Sequence, residues 1–102
     1  MAVLHTTNKS PLQTRDLESC LRLSRPGCGV LLIEDAVYGA LAAGTIAATL
    51  AEAAGQRRIY VLGPDLAARG FTAEQLMPGV EVVDYGGFVD LAVEYHHVQA
   101  WV

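Results

Sequence analysis

Basic residues are scarce in this sequence. It holds one lysine and six arginines among 102 residues, and its net charge is −4. The largest basic grouping is the pair Arg57-Arg58. Neutralising nucleic-acid phosphates takes a basic patch, so the composition argues against direct nucleic-acid binding. Cysteine is scarce as well. Cys20 and Cys28 make neither a disulfide framework nor a pair with zinc-ligand spacing. Long apolar runs are missing: the stretch from Ala36 to Ala51 is rich in small residues and closes on Glu52, so no membrane span is supported. The opening Met1-Ala-Val-Leu-His5 lacks the basic start and long apolar stretch of a signal peptide. These absences place the expected protein in the cytoplasm with both thiols reduced. No G-x-G-x-x-G follows a strand, and there is no Walker loop or G-x-S-x-G elbow. No cofactor and no metal is expected. His96 and His97 are adjacent, so they do not face one site and read as a solvated helix end.

Apolar residues, by contrast, are abundant. They make up 52 % of the chain, and the mean hydropathy is +0.30. A chain of this length forms one domain, residues 1–102, with its own core. A small domain cannot hide all of that apolar surface within itself. The surplus predicts burial against partner chains.

The pattern along the chain predicts alternating strands and helices. Ala2–Thr6 reads as a first strand. Ser10-Pro-Leu-Gln13 has the residues of a capping box, predicting a helix to about Ser24 that Pro26-Gly27 ends. Leu17, Cys20, Leu21 and Ser24 share one face of it. Gly29–Ile33 and Ile59–Leu62 are continuous apolar runs, as strands covered on both sides require. Ala40–Ala54 reads as a helix closed by Gly55. A short helix over Asp65–Arg69, a helical turn at Thr72–Gln75, a fourth strand at Val80–Val83 and a helix over Phe88–His96 follow. Val98–Val102 is left as an apolar tail. The expected architecture is three-layer α/β/α around a small, mainly parallel sheet of about four strands.

Ligands in such sheets bind beyond the carboxyl ends of the strands. There His5 and Glu34-Asp35 are expected at one rim, either as a hydrogen-bonded cluster or as an acid–base pair. Cys20 is the most informative residue for chemistry. It sits mid-helix on the mainly apolar face, too far from the helix start for the dipole to acidify it. A buried cysteine of this kind is commonly a small core residue, and a structural role is the reading that the residues alone favour. Cys28, in a Gly-Cys-Gly turn, is expected to be exposed.

Five segments together carry a family resemblance. They are Leu4-His-Thr-Thr-Asn-Lys-Ser-Pro11, Leu31-Leu-Ile-Glu-Asp-Ala-Val-Tyr38, Tyr60-Val-Leu-Gly-Pro-Asp-Leu-Ala-Ala-Arg-Gly70, Val83-Asp-Tyr-Gly-Gly-Phe-Val-Asp-Leu91 and Gln99-Ala-Trp101. From end to end the chain resembles the DsrH/TusB family. The resemblance implies a hetero-hexamer with two copies each of this chain and of DsrE-like and DsrF-like homologues. It implies relay of sulfane sulfur as cysteine persulfide, with a DsrC/TusE-like carrier protein as exchange partner. The segment Asp16-Leu-Glu-Ser-Cys-Leu-Arg22 resembles the DsrH type, which has a cysteine there. That makes Cys20 the expected persulfide carrier and favours dissimilatory sulfur oxidation. The alternatives are a scaffold subunit of the same complex, or a TusB-like subunit feeding tRNA wobble-uridine 2-thiolation. Cys28 matches no family motif and is expected to be dispensable. Persulfide transfer needs an accessible thiol with some thiolate character, which an apolar helix face does not supply by itself.

Overall fold

The structure is a computed structural model that describes residues 2–101. Met1 and Val102, the ends of the expected opening and tail, lie outside the described residues. Five strands form one sheet: β1 (Val3–Thr7), β2 (Gly29–Leu32), β3 (Arg58–Leu62), β4 (Glu81–Val83) and β5 (His97–Trp101). Their order is β4-β3-β2-β1-β5, and every neighbouring pair is parallel. The helices are α1 (Asp16–Leu23), α2 (Ala47–Ala54), α3 (Gly63–Ala68) and α4 (Tyr85–Glu94).

The chain order explains the layers. From β1 to β4 the sheet grows in one direction, so right-handed crossovers lay α1, α2 and α3 on one face. The connection from β4 to β5 runs back across the sheet, and the same handedness puts α4 on the other face. The core divides accordingly. The larger cluster joins Leu17, Cys20 and Leu21 of α1, Leu50 of α2 and Leu66 of α3 to Val30, Leu32, Ile59 and Val61. The smaller one, beneath α4, joins Leu4, Leu31, Tyr60 and Leu91. Alternate residues of β2 and β3 serve the two clusters, which is why their sequences are continuously apolar.

The sheet has five strands rather than about four. The expected tail is β5, paired with β1 from Val3↔His97 to Thr7↔Trp101. It is an edge strand whose first four residues are exposed, so no buried run announces it. The first helix starts at Asp16, later than expected. Ser10 does accept the Leu12 N–H, 3.1 Å, but closes only a turn. Thr14 Oγ1 then takes the Asp16 N–H and restarts the chain there. The predicted helix over Ala40–Ala54 is broken. Glu34–Ala40 is a 3₁₀ segment, and the chain after it is tied to the loop before β4. The Met77 N–H donates to the Ala40 carbonyl and the Ala42 N–H to the Gln75 carbonyl. These tertiary bonds outweigh the helix propensity of the alanines.

Candidate functional site

Cys20 lies on the buried face of α1, packed between that helix and the sheet with none of its surface exposed. Burial pushes its thiol up to about 12, and the neighbouring Cys28 thiol adds to the effect, while the Arg57 guanidinium opposes it. A thiol held there is almost wholly protonated at neutral pH, and the nucleophile is the thiolate.

Cys28 is buried too, at 4 % exposure, contrary to the expectation of an exposed turn. Gly27 makes the turn in the left-handed region, φ 89°, and its N–H donates to the Gln56 carbonyl. The Cys28 carbonyl already accepts the Arg58 N–H of β3, so residue 28 extends the sheet. With strand alternation its side chain falls on the same face as Val30, under α1.

His5 stands mid-strand in β1, opposite Val30 and Gln99. The Trp101 indole N–H donates to its Nδ1, 3.0 Å, with ring centroids 6.0 Å apart. An indole is a donor only, so the proton of the neutral ring sits on Nε2. Burial lowers the His5 pKa first, with Arg57 and His97 adding to it. Arg57 itself is anchored: its Nε donates to Ser24 Oγ, 2.8 Å, and its other arm to the Ser24 carbonyl. A cavity of about 240 Å³ lies between β1 and the turn after α1, lined by Val3, His5, Ser24, Arg25 and Cys28 among others.

The expected rim does not bring His5 to Glu34-Asp35. Val30, opposite His5, precedes Glu34 by four residues, roughly 13 Å of strand. At the carboxyl rim, the Glu34 N–H donates to Asp65 Oδ2, 2.7 Å, and holds Glu34 at φ 49°. Arg69 pairs with Asp35 at 2.9 Å. Two side-chain oxygens there, Thr7 Oγ1 and Asn8 Oδ1, are buried without a protein partner. The His5–Trp101 bond is not legible in the sequence, because it spans 96 positions and depends on β5.

The His5 environment has a consequence for stability. Its folded pKa lies below the ordinary 6.5, so between the two values the unfolded chain binds a proton that the folded chain does not. Stability is therefore lost as pH falls through 6.5 toward the folded value. His5→Gln keeps an acceptor for the indole and cannot titrate. Urea midpoints at about pH 7.5 and about pH 5.5 should fall more for the wild type than for His5→Gln. Equal losses in the two proteins would refute the assignment.

An all-parallel, doubly wound sheet with three helices on one face and one on the other defines a small α/β class with solved members. The ychN protein of E. coli superposes with a TM-score of 0.83 over 98 % of both chains at 18 % identity. The Thermotoga maritima protein Tm0979 does so with a TM-score of 0.61, covering 92 % of this chain and 93 % of that one, at 21 % identity. Within that class the chain belongs to the DsrH family, whose model, described as "DsrH like protein", matches residues 9–98. It is 41 % identical to the protein TusB of Pectobacterium parmentieri and 35 % identical to the TusB of Escherichia coli K12. Each alignment covers 97 % of this chain and all of the relative. Among the described residues no helix is long and apolar enough to cross a membrane.

Proposed function

We propose that this chain is a TusB-type subunit of a hetero-oligomeric sulfur relay that feeds tRNA wobble-uridine 2-thiolation, and that Cys20 packs its core instead of carrying the sulfur. The end-to-end relation to TusB chains favours the thiolation branch over dissimilatory sulfur oxidation. The sealed, protonated Cys20 thiol carries the second half of the reading. The DsrH-like cysteine position points the other way, but position alone does not supply a thiolate.

The expected companions are DsrE-like and DsrF-like chains in a hexamer with two copies of each, and a DsrC/TusE-like carrier in the cytoplasm. The surface supports an assembly. A single helix covers one face of a five-stranded sheet, and its outer side carries an apolar stripe beside the exposed Asp90 and Glu94. Tyr85, Val89 and Val93 follow one another at four-residue spacing, and all are exposed, Val93 at 81 %. A stripe of that kind on a small domain marks a contact surface. Val89→Arg with Val93→Arg should leave the circular dichroism of the chain unchanged and abolish co-purification with the companion chains. Undiminished co-purification would move the interface elsewhere.

Deletion of the gene in its own host tests the branch. Loss of 2-thiouridine from tRNA, restored equally by the wild type and by Cys20→Ser, is the expected result. Intact tRNA thiolation with arrested oxidation of stored sulfur would overturn the branch. Failure of a folded Cys20→Ser to restore thiolation would return Cys20 to the carrier role.

A further inference from the structure

Among the described residues, the cavity between β1 and the turn after α1 is lined by both a cysteine and an imidazole. The β1–β2 register pairs Leu4 with Gly29, which places Val3, His5 and Cys28 on the same sheet face at the amino-terminal end. Cys28 and His5 both line the cavity, together with Arg25. Cys20 does not. Arg57, clamped to Ser24, holds a second positive charge near enough to act on both His5 and Cys20. Nδ1 of His5 is engaged by Trp101, so the ring is fixed as a donor with its proton on Nε2. Among the described residues no side chain accepts from that nitrogen. A thiol, a fixed N–H donor and positive charge around a small cavity are what an anionic sulfur species needs.

We propose that this cavity is a sulfane-sulfur port in which Cys28 accepts the outer sulfur of a hydropersulfide. The proposal rests on the sulfur-relay reading and adds a sulfur-bearing residue that the reading does not assign. The Cys28 thiolate attacks the outer sulfur of R–S–SH. A bond forms between the Cys28 sulfur and that atom, and the S–S bond of the donor breaks. The electron pair leaves on the donor thiolate, which takes up the proton that Cys28 gave. The products are Cys28–S–SH and R–SH, with no net oxidation or reduction. His5 serves as a hydrogen-bond donor to the sulfur anion. It does not act as a base, because protonating Nδ1 would break the Trp101 bond. A cavity of about 240 Å³ admits a small persulfide or the tip of one side chain, and not a folded element.

The test uses the purified full chain and glutathione persulfide. Cleavage by trypsin after Arg22 separates the two cysteines, so peptide mass locates the added sulfur. Wild type and Cys20→Ser should carry one extra sulfur on the Cys28 peptide, and Cys28→Ser and Cys28→Ala none. His5→Phe keeps a ring against Trp101 without a donor and should load at least about tenfold more slowly, and His5→Gln, which keeps an N–H, should recover part of that rate. Sulfur on the Cys20 peptide alone would overturn the port. So would an unloaded wild type while a co-purified DsrE-like companion loads under the same conditions, an outcome that leaves the relay reading standing. If neither chain loads from any persulfide, the port and the relay reading fail together.

Discussion

Iodoacetamide should label Cys20 about a thousandfold more slowly in the native chain than in the unfolded chain at about pH 8. The number follows from the thiolate population. Burial moves the thiol from 9.0 to about 12, and each unit is a factor of about ten in thiolate below both values. Steric exclusion adds to this, since the side chain is wholly buried between α1 and the sheet. The ratio should hold across the neutral range, because both populations rise with pH in parallel until the unfolded thiol titrates. Rate measurement on Cys28→Ser isolates Cys20. A ratio below about ten would mean that α1 opens readily, and a thiol exposed so often could take part in transfer. The same measurement in the assembled complex shows whether a partner uncovers it.

The central strands were readable in the sequence because each is buried on both faces. Gly29–Leu32 and Ile59–Leu62 have no polar residue to mark a solvent side. The edge strand β5 was not readable. His97-Val-Gln-Ala-Trp101 alternates without a buried set, and its partner β1 lies at the other end of the sequence. Helix starts were readable as residue types but not as positions. Ser10 and Thr14 both offer capping oxygens, and the competition between them is settled by where α1 must land on the sheet. The candidate site divides the same way. Cys20 was legible as a member of an apolar face. The burial of Cys28 was not, because its turn lies under the end of α1 only once the chain has crossed over to β2. A Gly-Cys-Gly triplet looks like an exposed turn wherever nothing returns to cover it.

Leu31→Ala should lower the unfolding free energy by about 2–5 kcal/mol, toward the upper part of that range. Leu31 is fully buried in the middle of the sheet, on the face that α4 alone covers. Truncation leaves a void whose walls cannot close easily. Strand neighbours on either side are fixed by backbone pairing, Thr6 in β1 and Tyr60 in β3. Tyr60 is further held by a hydroxyl contact of 3.3 Å to Tyr95. Gly29 leaves Tyr95 its place, since a Cβ there would meet the Tyr95 hydroxyl at 2.5 Å. The layer beneath α4 is therefore a jigsaw of few pieces, and a missing one is not replaced by the others. Val82→Ala is the internal control. Val82 sits on edge strand β4 and is 45 % exposed, so its loss should cost less than about 1 kcal/mol. Urea unfolding of both variants at a common pH, with unchanged m values, reads the difference directly. Equal costs for the two would show that the face under α4 is loosely packed. In that case α4 would hold its place through contacts that a partner chain supplies, and the isolated domain would gain stability on assembly.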